Sequence, residues 1–371
     1  MSSTYSGADA HPLQTVVWGT GNVGRAAIRA VQAHPALALS GVVVHSEAKI
    51  GVDAGELAGL PTTLGVPATG DLDAALAGAD AVVYAASGDL RPDDALADVL
   101  RAVRAGAVVV TPSLFALYDP PSAPADVRDA VDEAIATGGG ALFVSGVDPG
   151  WANDILPLLA SGLASSISQL RCQEIFDYTT YDQPDAVRIL TGMGQPMDYE
   201  PPMLVAGVPT MVWGGQLRLL GRALGIEFDD IVERHDRRAL TDTVDTPLMG
   251  RFDAGTQGAV RFELEGHVAG DAVVVVEHVT RIDAACAPDW PQVPDGGAGV
   301  HRVIVEGRPR IEIDVVATDE GGNRAAGGNA TAVGRLVNAI PWLRDAGPGL
   351  YDALDVPIQP GVGKLGKATL P

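Results

Sequence analysis

Three glycines near the start of the chain have the spacing that holds phosphate. Gly19, Gly21 and Gly24 form a G-x-G-x-x-G pattern directly after the apolar run 15–18. Behind them Val23, Ala26, Ala27, Ala30 and Val31 recur on one helical face. Strand, glycine turn and helix in that order point to a bound dinucleotide. Gly19 permits the tight turn, Gly21 lets the backbone approach a pyrophosphate, and Gly24 lets the helix pack against the strand. The N–H groups of Asn22 and Val23 then face the phosphates at the helix start.

Other residues have chemistry to offer around that loop. His45 and Ser46 follow a strand expected over 38–44, where the chain meets the adenosine ribose. Small polar or basic residues there leave room for a 2′-phosphate, which favours NADP(H). Glu47 would bind a 2′-hydroxyl if the strand ends two residues later, so NAD(H) stays open. Ser87 follows the strand expected over 80–86, and Thr111 the one over 106–110; both are expected along the cofactor. Tyr118 and Asp119 offer a hydroxyl and a carboxyl on the segment 111–121, which leaves the carboxyl edge of the expected sheet, where open parallel sheets place ligands. Farther along, Glu174, Phe176 and Tyr178 alternate on one strand and so share a face. Trp151, Met193, Met197 and Trp213 are candidates for an apolar pocket.

The elements that must position these residues read as two units. Strands and helices alternate up to residue 145, which argues an α/β fold with a doubly wound parallel sheet of Rossmann type. From residue 166 the runs alternate with period two and are separated by turns, as in an α+β domain with an antiparallel sheet of about five strands and helices on one face. The segment 146–154 is the expected hinge. A last helix is expected from an Asn329 cap to Pro341. The expected division is a disordered arm over 1–12, a dinucleotide-binding domain over 13–155, a substrate and dimerisation domain over 156–328, and a closing helix with an extended tail over 329–371. A sheet covered on one side leaves a face for a homodimer.

Composition narrows the partners. A formal net charge of −22 disfavours nucleic acid and anionic membranes. No apolar run is long enough to span a bilayer, and the polar start lacks a signal peptide's charged and apolar regions, so a cytoplasmic protein acting on a small molecule is expected. Cys172 and Cys286 have no metal spacing and are expected to be buried and reduced. The seven histidines form no His–carboxylate cluster in the sequence, so no metal is expected.

Four segments carry a resemblance: 19–24, 51–57, 146–154, and Asn329-Ala-Thr-Ala with 337–341. With the order of the two units, they make the chain similar to the dihydrodipicolinate reductase-like oxidoreductases, and more closely to the branch of 2,4-diaminopentanoate dehydrogenase and the native amine dehydrogenases. The resemblance implies hydride transfer between a nicotinamide cofactor and a C=N or C=O carbon of a ketone, imine or amine held between the domains. The reductases' paired histidines are absent. So is the glutamate that the amine dehydrogenases carry just after the strand corresponding to 106–110, since no glutamate lies between Gly106 and Asp132. Proton handling is then expected from Tyr118, Asp119, Glu174 or Tyr178, with Glu174 as the replacement if its face closes over the nicotinamide. The missing acid also motivates an alternative, an inactive NADP(H)-binding sensor or scaffold.

Overall fold

The computed structural model describes residues 11–88, 91–179, 181 and 183–362. Most of the expected N-terminal arm and the end of the expected tail lie outside the described residues. The chain starts with β1 (Leu13–Trp18), α1 (Asn22–Ala33), β2 (Leu37–Val43), α2 (Ala54–Leu57), β3 (Ala68–Thr69) and α3 (Leu72–Leu76). It continues through β4 (Ala81–Tyr84), α4 (Pro92–Arg104), β5 (Val108–Thr111), α5 (Ala125–Gly138) and β6 (Ala141–Val144). It then crosses through α6 (Ile155–Ser161) into β7 (Ser166–Asp177), α7 (Val208–Leu224), β8 (Asp230–Ala239) and a small hairpin, β9 (Val244–Thr246) and β10 (Gly250–Phe252). The strands β11 (Gln257–Val268), β12 (Asp271–Arg281), β13 (Gly299–Arg308) and β14 (Ile311–Val315) follow. Finally α8 (Arg324–Ala346) and β15 (Gly349–Tyr351) return to the first unit.

The first unit is a seven-stranded parallel sheet in the order β15-β6-β5-β4-β1-β2-β3. The strands β4, β5 and β6 are buried throughout because helices cover both faces. The chain leaves β1 in one direction and β4 lies on its other side, so a crevice opens beyond the carboxyl ends of these two strands. The glycine loop and residues 85–88 occupy that edge.

The C-terminal unit differs from expectation in one respect. Its six strands run in the order β14-β13-β7-β12-β11-β8, and β7 pairs with β12 in parallel. The sheet is therefore mixed. The long path from β7 through α7, β8 and β11 supplies the crossover that parallel neighbours need. α6 and α7 cover one face, through Leu156, Ala160, Trp213 and Leu217.

The last helix also differs. It begins at Arg324, not after Asn329, because the Asn323 side chain accepts from the Ala326 N–H at 3.1 Å. Pro341 lies inside it. A proline removes one helix hydrogen bond, and the burial of Val337, Ile340 and Leu343 in the core of the parallel-sheet unit carries the helix past that point.

Candidate active site

The glycine loop is built as a ligand cradle. Gly19 has φ +103°, and a Cβ there would lie 2.8 Å from the Ala86 nitrogen. A Cβ on Gly24 would lie 2.0 Å from the Gly19 carbonyl, so α1 approaches the turn as closely as it does only with glycine. Gly21 is the opposite case: a Cβ there would meet no protein atom within 4 Å. It faces a cavity of about 680 Å³ that is also lined by Asn22, Val23, Ser87, Ser113, Asp148 and Pro149. The free N–H groups of the α1 start and this open space fit a pyrophosphate.

The other expected cofactor residues fall less directly. Thr111 is buried behind the cavity; its Oγ1 accepts from the Ser113 N–H at 3.0 Å, and the Ser113 hydroxyl donates to the Ala86 carbonyl at 2.6 Å. Thr111 thus shapes the loop without lining the space. His45 and Ser46 are exposed and do not line the cavity either. His45 Nε2 accepts from the Trp18 indole at 3.5 Å and lies 4.0 Å from Asp98.

Opposite the loop, three strands bring one carboxylate between two imidazoles. Glu174 of β7 is in register with His278 of β12 and with His301 of β13. Glu174 Oε1 lies 3.9 Å from His278 Nδ1, and Oε2 lies 3.4 Å from His301 Nε2. The Tyr178 hydroxyl donates to Oε1 at 3.4 Å. All four side chains line the cavity. His301 is buried between the rings of Trp151 and Phe176, and its Nε2 has no hydrogen-bond partner among the described residues. Burial and the neighbouring Glu174 charge push the Tyr178 hydroxyl well above its ordinary pKa, so it stays protonated.

His278 is held from the other domain. Its Nε2 lies 3.2 Å from Asp148 Oδ2, on the loop after β6, and its ring stacks on Phe262 at 4.5 Å. Asp148 Oδ1 accepts from the Trp213 indole and the Gln216 amide, each at 2.8 Å. Burial favours the neutral form of both partners. For Asp148 the His278 charge and the Gln216 amide prevail, and its pKa falls below the usual carboxylate range. For His278 the Asp148 charge prevails over burial and raises its pKa. The sequence showed no His–carboxylate cluster because these residues sit on separate elements. Asp148, Glu174 and His278 have ligating atoms within 4.8 Å of one another. Asp148 already accepts two hydrogen bonds, from Trp213 and Gln216, and lies 3.2 Å from His278 Nε2.

Tyr118 and Asp119, expected as proton donors at the ligand edge, lie elsewhere. Tyr118 is 1% exposed; its hydroxyl donates to Asp154 Oδ2 at 2.8 Å, and the Gly150 carbonyl lies at 3.2 Å. Asp119 accepts from Arg222 Nη2 at 2.7 Å, and Arg222 also reaches Asp352 at 2.5 Å. Neither residue lines the cavity. The segment folds into short turns after β5 that tuck both side chains against α7 and the hinge, where protein groups satisfy them.

The remaining wall is apolar. Trp213 lines it as expected, with Leu190, Met203, Met211 and Val212. Trp151 instead sits behind His301 and donates to Thr331, and Met193 is fully buried; Met197 does not line the cavity. Among the described residues no lysine or arginine lines the cavity. Sequence reasoning missed His278, His301 and the role of Asp148. One signal was present: His278 interrupts the run of four valines and a glutamate before Val279, at the parity that faces the cavity.

A parallel-sheet dinucleotide fold joined to a mixed-sheet domain, with a polar cluster facing the glycine loop, defines a two-domain nicotinamide-dependent oxidoreductase. Residues 13–99 match the family model for the dihydrodipicolinate reductase N-terminus, and residues 154–367, more than half of the chain, match the 2,4-diaminopentanoate dehydrogenase C-terminal domain. A curated amine dehydrogenase from Streptomyces virginiae is 66% identical over 356 residues, 96% of this chain and 99% of that protein. The solved structure of an amine dehydrogenase from Mycobacterium smegmatis superposes with a TM-score of 0.73 at 20% identity, covering 94% of this chain and 97% of that one. A probable dehydrogenase from Thermotoga maritima gives 0.55 at 17% identity, covering 92% of each chain. The chain belongs to the 2,4-diaminopentanoate dehydrogenase family. It is an NAD(P)-dependent oxidoreductase that moves hydride to or from a C=N or C=O carbon. Among the described residues no helix is long and apolar enough to cross a membrane.

Proposed function

We propose that the enzyme interconverts apolar primary amines with their ketones or aldehydes and ammonia, with Glu174 as the group that handles the proton. The observation that carries this reading is Glu174 itself: a carboxylate facing the cavity, contacted among the described residues only at 3.4 Å or more. A carboxylate without short partners is free to serve a ligand, whereas a satisfied one is not. Among the described residues no lysine or arginine lines the cavity, which disfavours substrates with an α-carboxylate and favours neutral or cationic ones.

A bound nicotinamide supplies or takes up the hydride. In the deaminating direction the amine enters as the free base with its carbon toward the glycine-loop side. Loss of hydride leaves an iminium cation, and the Glu174 carboxylate stabilises it at close range. Water then adds to the iminium carbon and gives its proton to Glu174; Glu174 returns that proton to the carbinolamine nitrogen and takes the hydroxyl proton as the C–N bond breaks, so that ammonia leaves and the carbonyl forms. Tyr178, protonated, donates to Glu174 and orients it. His278, fixed by Asp148, places a positive charge beside the same carboxylate. Trp213, Met203 and Met211 exclude water around the substrate's apolar part.

The preferred cofactor is NADP(H), with NAD(H) accepted, because no acid stands at the end of β2, where Val44, His45 and Ser46 follow the strand. The enzyme acts in the cytoplasm, consistent with two buried free thiols. It works as a homodimer through the outer face of the mixed sheet, where Arg171 and Arg261 bridge Glu263 and Glu277. The proposed division places the boundary between the two domains one residue into α6 (Ile155–Ser161) and its last boundary inside α8 (Arg324–Ala346). The test is a panel of ketones with ammonia, carboxylate-free amines and the matching amino and keto acids, followed by the absorbance of the reduced nicotinamide. Turnover of the carboxylate-free compounds is expected; turnover confined to the acids would refute the assignment. Light scattering at the mass of one chain would remove the dimer.

A further inference from the structure

One buried imidazole takes no part in the chemistry above. His301 of β13 is 3% exposed and lines the large cavity. Trp151, from the hinge, and Phe176, from β7, flank its ring, with centroids 5.5 and 5.0 Å away. The Trp151 indole is itself fixed by the Thr331 hydroxyl at 2.9 Å. The imidazole is therefore held in one place. Its Nε2 faces Glu174 Oε2 at 3.4 Å without hydrogen-bond geometry, and no other group among the described residues partners it. A buried ring nitrogen left this way asks for a reason.

The proton count at Glu174 supplies one. Each deamination leaves the Glu174 carboxyl with the proton of the carbinolamine hydroxyl, and the next turnover needs the carboxylate back. Three polar side chains stand beside it. The Tyr178 hydroxyl has its pKa pushed up by burial and by the Glu174 charge, so it keeps its own proton. At His278 burial opposes the charged form, but Asp148 overrides it and raises the pKa, and Nδ1 lies 3.9 Å from Oε1. A histidine that holds both ring protons cannot accept a third. His301 is left, with a lone pair on Nε2 when its ring hydrogen is on Nδ1.

We propose that His301 is the relay that takes the proton off Glu174 after each deamination and returns it in the aminating direction. The O–H bond at Oε2 breaks and an N–H bond forms at Nε2. The imidazolium then sheds a proton to the water that refills the cavity as product leaves, and no redox change accompanies the transfer. His301 acts through Glu174 and not on the substrate. This rests on the reading of Glu174 above and goes beyond it by naming where the proton goes.

Rapid mixing of the full-length enzyme with NADP+ or NAD+ and a carboxylate-free amine, followed at the absorbance of the reduced nicotinamide, separates the first turnover from the rest. In His301→Gln the amide fills the site but is no base. The first turnover starts from an ionised Glu174, so its burst should stay within about twofold of native while steady-state kcat falls about 10²-fold. His301→Asn should behave alike, and added imidazole should restore kcat in His301→Ala. Glu174→Gln should lose the burst as well, because the carboxylate that faces the iminium is gone. Melting temperature and calorimetric cofactor affinity show that the variants compared are folded. If burst and kcat fall together in the histidine variants and imidazole rescues neither, His301 only packs the site and the relay is wrong. If neither falls, the proton leaves on ammonia without His301, and the relay is again wrong. In both cases an inactive Glu174→Gln leaves the reading of Glu174 standing. If Glu174→Gln keeps turnover, or the native enzyme turns over no such amine, the proposal falls together with the reading it rests on.

Discussion

Two clusters of buried polar side chains join the parallel-sheet and mixed-sheet units, and they are satisfied to different degrees. Around Asp119, the Arg222 guanidinium spans to Asp352, and the Tyr118 hydroxyl is closed off by Asp154, itself a cap on α6. Asp119, Asp352, Asp154 and the Tyr118 hydroxyl each have a partner at 2.5 to 2.8 Å. Around Glu174 the contacts are 3.4 to 3.9 Å long, and His301 Nε2 has none with hydrogen-bond geometry. Both clusters contain a tyrosine and a carboxylate at an edge where ligands are expected. The difference in partners separates a structural tie from a site with capacity left for substrate.

That comparison can be broken by exchanging the two outcomes. The largest effect is expected on catalysis at Glu174: Glu174→Gln should lower kcat/KM by about 10²- to 10⁴-fold, the range of general acid–base groups, with cofactor affinity and melting temperature little changed. Asp148→Ala leaves His278 buried beside Glu174 without its fixed counter-charge and should cost about 3 kcal/mol of stability by denaturant unfolding. Arg222→Ala leaves two buried carboxylates facing each other; because Arg222 is 38% exposed, about 2 kcal/mol is expected, with activity within a few-fold.

The Asp148–His278 tie also gives a pH signature. His278 has a raised pKa, so its contribution is complete below the ordinary histidine value of about 6.5 and fades as pH rises through the shifted one. Asp148 has a depressed pKa, so its contribution is complete above the ordinary carboxylate value of about 4 and fades as pH falls through the shifted one. The stability gap between the native enzyme and Asp148→Ala should therefore be widest between those two values and narrow on either side. A gap that grows steadily toward alkaline pH would show that the pair is not ionised.

How much of this was legible in the sequence depended on whether a feature is local. The glycine loop, the strands of the parallel sheet and the shared face of Glu174 and Tyr178 follow from spacing along one element, and the structure has them where spacing put them. The His278–Glu174–His301 row depends on which strands become neighbours, and β7 lies between β12 and β13 only because the sheet is mixed. Tyr118 and Asp119 were read from a segment that does leave the ligand edge, yet short turns rotate their side chains away from it. Asn323 and Asn329 offer the same capping chemistry six residues apart; Asn323 caps α8 and Asn329 lines the cavity. Residue type and edge position nominate candidates; only the partners of each polar atom choose among them.

Tyr118→Phe should show the smallest effect, a loss of about 1 kcal/mol from one hydrogen bond, with catalysis nearly native. Set beside Glu174→Gln, it gives the most direct test: kcat for the two variants under one set of conditions, with both shown to be folded and to bind cofactor. The account predicts that the glutamine variant loses turnover and the phenylalanine variant keeps it. Turnover retained at Glu174→Gln and lost at Tyr118→Phe would move the chemistry to the other cluster.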